Sequence, residues 1–200
     1  MMMTMSFYDD DAFQSNLAPK RALIYEKVFG PIKSIKAANW TSKSIENVIR
    51  QFEDKEQAID IEIEFQDGVI INLQEKSRRW PKFNAPYNDF TIEYMNDPKT
   101  KDVGELFKIK SMYYFSGQAN KNGDDYVNWV IYKTKPLIKG ILKNWPIETM
   151  IKNGWLNDND AYNKANFFAI KKHLIEENIP EAMCRKSIGI WTETKKFKKY

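Results

Sequence analysis

Cysteine and histidine are nearly absent from this 200-residue chain, which has one of each, Cys184 and His173. A lone cysteine forms no intrachain disulfide, and one of each excludes a zinc site of the Cys/His kind. Any bound metal therefore has to be a hard ion held by oxygen. No run of about 18 apolar residues occurs, and the start, MMMTMSFYDDDAF, lacks both a basic segment and a long apolar one. Neither a membrane span nor a secretory leader is expected, and the expected compartment is the cytoplasm. The GxGxxG, P-loop and GxSxG patterns are missing too, which argues against the nucleotide-binding and hydrolase folds that need them. Charge of one sign is also scarce: 31 basic against 27 acidic side chains leave +4, a mild pull toward an anionic partner.

What is present suits one globular domain. Hydrophobic residues make up 42% and aromatics 14%, and a chain of this length buries about 70% of the surface its unfolded form exposes. Pro19, KRALIYEKVF and Gly30 predict a first helix with Leu23, Ile24 and Val28 inward. PIKSIKAANW reads as a linker. Ile45, Val48, Ile49 and Phe52 then recur at i, i+3, i+4 and i+7, predicting a second helix with one buried stripe. In AIDIEIEFQ the period switches to two, Asp67-Gly68 signals a tight turn, and VIINLQEK returns, so a β-hairpin is expected. DFTIEYM predicts a third strand with Phe90, Ile92 and Tyr94 on one side. The spacing of Leu106, Ile109 and Tyr113 predicts a helix within 104–120, and YVNWVIYK a strand ended by Pro136. LIKGILKN and ETMIKNGWL predict short helices, and NDAYNKANFFAIKKHLIEENI a long one stopped before Pro180. The fold class expected is mixed α/β (α+β), a central mixed sheet flanked by helices, with residues 1–135 as the core and 136–200 as a helical C-terminal extension packed on it.

Alternate residues of a strand point the same way, so Gln74 and Lys76 share a face, and Asp60 lies on the preceding strand. An acid, an amide oxygen and an ammonium so placed suit phosphodiester hydrolysis, in which a divalent cation held by oxygens polarises the phosphate and a lysine offsets developing charge. Glu75 points to the other face but offers its backbone carbonyl. Arg78, Arg79, Trp80 and Lys82 follow at the strand's end, where arginine suits phosphate contacts and tryptophan stacks on a base. Lys108 and Lys110 line the same groove if their helix packs behind the hairpin. Each also has a plain structural reading, as the wet side of a hairpin or a charged loop. His173, among apolar neighbours, and Cys184, with no catalytic partner, read as structural.

The stretch IDIEIEFQDGVIINLQEKSRR resembles the core of the PD-(D/E)XK nuclease superfamily, in the variant with glutamine in place of the second carboxylate. Its wider context is similar to small nuclease-like proteins of phages and mobile elements, and the likeness spans roughly residues 20 to 135. The resemblance implies a restriction-endonuclease-like core and a Mg²⁺- or Mn²⁺-dependent DNA endonuclease. In it Asp60 is the principal metal ligand, Gln74 a second through its amide oxygen, and Lys76 the catalytic lysine. It also implies an acid from the helix before the first core strand, for which Glu26 and Glu46 both qualify, and it leaves a homodimer open. Ile59 stands where the family has proline, and neutral Gln74 leaves the site one negative charge poorer. The alternative is a nuclease-like fold that binds nucleic acid or a protein partner without cutting.

Overall fold

The computed structural model describes residues 7–37, 44–81, 87–158 and 165–187. Helix α1 (Phe7–Phe29) begins well before the expected start, with Pro19 inside it. The missing proline N–H costs the helix one bond, and burial of Phe13 and Leu17 anchors the added turns. Ile24, Tyr25 and Val28 face the core, whereas Leu23 turns to solvent. Gly30, at φ +115, closes the helix. The expected linker is instead strand β1 (Ile32–Ala37), an edge strand antiparallel to β2 (Ile61–Phe65).

Helix α2 (Ile45–Gln57) forms where its periodicity puts it, but the apolar stripe is not buried. Ile45 is 83% exposed, and Val48, Ile49 and Phe52 are each more than half exposed. Periodicity fixes the helix, not what covers its face. The far end of α2 is tied down by polar contacts: the Lys108 ammonium donates to the Lys55 carbonyl (2.6 Å) and the Lys110 N–H to the Gln57 carbonyl (2.8 Å). Ala58 then turns the chain into β2 at φ +47, a left-handed conformation rare for alanine.

The hairpin is as the alternation demands. β3 (Ile70–Arg78) pairs antiparallel with β2, Ile63 opposite Ile71, and Ile61, Ile63 and Phe65 are buried on one face. The expected third strand forms as β4 (Asp89–Asp97), with Phe90 and Ile92 fully buried, but it belongs to a second sheet. Strand β5 (Asp102–Val103) follows. In place of a helix through 104–120 there is one turn, α3 (Glu105–Lys108), and then strand β6 (Tyr113–Ala119), parallel to β3. A central strand buried on both faces has no alternation to separate it from a helix. Gly117 in β6 is needed for close packing, since a Cβ there would lie 2.4 Å from the Tyr126 ring.

Strand β7 (Tyr126–Lys133) runs into α4 (Thr134–Asn144), with Pro136 in the helix's first turn rather than as a strand breaker. Helix α5 (Ile147–Lys152) and strand β8 (Leu156–Asp158) come next. The expected long C-terminal helix is corrected: its described part is strand β9 (Asn166–Lys171), whose Phe168 and Ile170 alternate into the core, followed by α6 (Lys172–Asn178). Strand β10 (Met183–Lys186) then pairs with β7. Residues beyond 136 are thus not a purely helical extension, because they supply strands to both sheets.

The result is a mixed α/β fold. A six-stranded mixed sheet has the order β1-β2-β3-β6-β7-β10, and a four-stranded sheet the order β5-β4-β9-β8. Tyr25, Ile63, Leu73 and Phe115 pack between α1 and one face of the larger sheet. Phe90, Tyr114, Tyr132 and Phe168 fill the space between the two sheets, closed by Leu137 and Ile141 of α4 and Ile175 of α6. Among the described residues no helix is long and apolar enough to cross a membrane.

Candidate functional site

The pleat of β3 sends Gln74 and Lys76 toward the second sheet and Glu75 and Ser77 toward α1. On the first side Glu105 is the hub. Its Oε1 accepts from Gln74 Nε2 (3.0 Å) and lies 3.9 Å from the Lys76 ammonium, while its Oε2 accepts from the Tyr114 hydroxyl (3.2 Å) and the Glu93 N–H (3.4 Å). Lys76 also donates to Glu93 Oε1 at 3.3 Å. Gln74 and Lys76 therefore converge, as the spacing predicts. With Nε2 committed to Glu105, the Gln74 Oε1 is buried with no hydrogen-bond partner among the described residues.

Asp60 reaches the same region by a backbone bond: its Oδ2 accepts the Glu75 N–H at 2.6 Å. Burial first, then Asp54, Glu75 and Glu105, hold its carboxyl well above the ordinary range, only partly offset by that N–H. Asp54 of α2 hydrogen-bonds Asp60 and is itself pushed up by burial, an effect that this bond and Lys108 reduce. The two carboxyls form a pair in which a shared proton relieves like-charge repulsion. Burial also raises Glu105, against the pull of Lys76. For Lys76 burial acts downward, but Glu105 and Glu93 outweigh it and keep the ammonium charged above its usual pKa.

Glu75 is on the opposite face, paired with Arg21 Nε at 3.2 Å and closely hydrogen-bonded by the Tyr25 hydroxyl. Arg21 also donates to Gln14, Ser77 and Tyr126. This network locks β3 to α1 from behind, and the Glu75 side chain is not free for a ligand; its backbone carbonyl is the only donor it offers the site.

The helix acids expected from the sequence lie elsewhere. Glu26 accepts the Ile32 N–H (3.4 Å) at the α1–β1 turn, and Glu46 is an exposed partner of Lys36 (3.5 Å). The helix acid that does reach Asp60 is Asp54, which sequence reasoning missed, along with Glu93 and Glu105. Arg78 continues the Gln74–Lys76 face, closely paired with Asp89 and 3.7 Å from the Tyr87 ring centroid. Arg79 and Trp80 turn toward α1, where a cleft of about 470 Å³ opens between Phe13, Asn16, Trp80 and the 120–123 loop. Arg79 lies over the Phe13 ring (4.2 Å) and Lys121 near the Trp80 ring (5.7 Å). Lys82 falls outside the described residues. Lys108 is engaged with the end of α2, and Lys110 is exposed beside it.

As a cation site the donors fit in kind: carboxylate and amide oxygens suit a hard divalent ion, and the orphaned Gln74 oxygen is an acceptor awaiting a positive partner. They are not a preformed cage, since among the described residues no three acidic, histidine or cysteine side chains converge as a ligand set. Comparisons with known protein families, with curated proteins and with solved structures returned no match.

Proposed function

We propose that the protein is a metal-dependent DNA endonuclease, hydrolysing phosphodiester bonds at the end of α2 and the face of β3. The observation that carries this reading is the buried Gln74 Oε1, left without a donor among the described residues in the region of Asp60, Lys76 and Glu105. A buried acceptor with no partner costs roughly 1–3 kcal/mol, and a hard cation removes that cost. Asp60, Gln74 Oε1 and the Glu75 carbonyl would hold Mg²⁺ or Mn²⁺. When bound, the ion polarises the phosphate and lowers the pKa of an attacking water.

The chain's own groups do the rest. Asp60 would release to solvent the proton it shares with Asp54 and so serve as a full anionic ligand. Lys76, fixed as a cation by Glu93 and Glu105, sits where it offsets charge on the phosphoryl oxygens rather than acting as a base. Arg78 extends the same face toward the strand backbone.

A second reading is favoured by one observation: Lys76 is already bound to two carboxylates and Gln74 is neutral, so the fold binds nucleic acid without cutting it. Incubation of plasmid, linear and single-stranded DNA with Mg²⁺ or Mn²⁺ separates the two. Cleavage by the parent and its loss in Asp60→Asn supports the enzyme. Salt-dependent binding without cleavage under either metal selects the binding module, and undiminished cutting by Asp60→Asn shows that the site is elsewhere.

A further inference from the structure

The cleft of about 470 Å³ beside α1 falls within the roughly 300–1,000 Å³ of small-ligand sites, and its walls favour one chemistry. The Arg79 guanidinium lies 4.2 Å over the Phe13 ring, the Lys121 ammonium lies 5.7 Å from the Trp80 ring, and Asn16 and Asn122 are exposed along the wall. Among the described residues that line it there is no carboxylate. Cations, aromatic rings and amides without an acid suit a nucleotide: phosphate for the cations, a flat heterocycle for the indole, and its polar edge for the amides. The cleft is held in shape from within. Asn120 Oδ1 accepts the Gly123 and Asp124 N–H groups (2.8 and 3.2 Å), and Gly123, at φ +74, sits where a Cβ would lie 3.4 Å from the Phe13 ring.

The position of the cleft says which nucleotide it takes. Trp80 stands four residues beyond Lys76, at most about 14 Å of backbone, so one DNA strand reaches both within about four nucleotides at 3.4 Å each. Arg78 faces Asp89 of the second sheet whereas Arg79 faces α1, so a strand running from Lys76 to the cleft rounds the end of β3. Duplex DNA, with a persistence length of about 150 base pairs, does not turn that sharply, and its base faces are covered by their neighbours. A single strand turns, and its bases are open to stacking. We infer that the cleft seats an unpaired base of the strand held at Lys76, so that the substrate is DNA with a single-stranded arm rather than continuous duplex. This rests on the reading that the face of β3 meets DNA, whether or not it cuts.

Fluorescence anisotropy on the full chain in EDTA, at one fixed salt concentration, tests it without cleavage. A forked duplex with an oligothymidylate arm should bind roughly 5- to 100-fold tighter than a blunt duplex of equal nucleotide number, the range expected for one stacked base. Trp80→Leu should bring that ratio toward one, and Trp80→Phe, which keeps a stacking face, should retain most of it. Lys121→Gln, on an exposed side chain, should melt with the parent yet weaken oligothymidylate binding and lower its salt slope by about one; it keeps the test open if Trp80→Leu does not fold. Equal affinity for fork and blunt duplex overturns the inference, and so does a ratio that Trp80→Leu leaves intact in a folded protein. Thymidine monophosphate competing as well as oligothymidylate would overturn it too, making the cleft a free-nucleotide site. Fork preference without cleavage in Mg²⁺ or Mn²⁺ removes the enzyme reading and leaves this one standing, whereas cleavage of blunt duplex as fast as fork does the reverse.

Discussion

Lys172 opens α6 with its side chain almost wholly enclosed, 3% exposed, its ammonium donating to Asn128 Oδ1 at 3.3 Å. Burial, and then Arg78, depress its pKa from 10.5 to about 8, with Asp89 pulling the other way. A drop of that size corresponds to about 3 kcal/mol of differential stability. The sign follows from proton uptake: between about pH 8 and 10.5 the unfolded chain binds a proton that the folded one does not, so stability rises with pH in that window. At pH 7 the folded protein carries nearly the full cost of the buried charge. Lys172→Met removes that cost but leaves the Asn128 oxygen without this donor, a loss of roughly 1–3 kcal/mol, so the two nearly cancel at neutral pH. The sharp readout is therefore the slope. Urea titrations followed by circular dichroism at intervals from pH 7 to 10.5 should show the parent gaining on the variant by about 3 kcal/mol. A parent–variant difference that stays flat across that range refutes the reasoning.

Gln74→Glu should raise divalent affinity by adding an anionic ligand and lower stability without metal by crowding Glu105. Melting temperature with and without Mg²⁺ reads both, and a variant that Mg²⁺ stabilises no more than the parent argues against a cation there. Affinity for Mn²⁺, by calorimetry, should climb as pH rises above the ordinary carboxylate range, because Asp60 and Asp54 hold their protons to higher pH. A pH-independent affinity would mean Asp60 is not a ligand. Lys76→Met should destabilise by roughly 1–3 kcal/mol, since it leaves Glu93 and Glu105 facing each other without a cation. An unchanged midpoint in urea would show that the pairing carries no weight.

How much of this was legible in the sequence depends on how far apart the interacting residues lie. Ile61, Ile63 and Phe65 alternate with acids along a strand with one wet face, so the hairpin and the shared face of Gln74 and Lys76 follow from a period of two. Tyr114, Phe115 and Ser116 are buried whichever way they point, so β6 offered no period, and a helical spacing of Leu106, Ile109 and Tyr113 filled the gap wrongly. The stretch from Asn166 to Lys171 is similar: its strand character comes from pairing with β4, far back in the chain. Asp54 meets Asp60 only because Ala58 takes a left-handed turn, and alanine gives no signal of one. Glu93 and Glu105 reach Lys76 from β4 and α3 across the space between two sheets. Spacing along one strand finds the groups that strand supplies. The charge balance that keeps Lys76 protonated is set by sheet-on-sheet packing, and so the sequence motif supplies the lysine that offsets charge but not the two carboxylates that fix it as a cation.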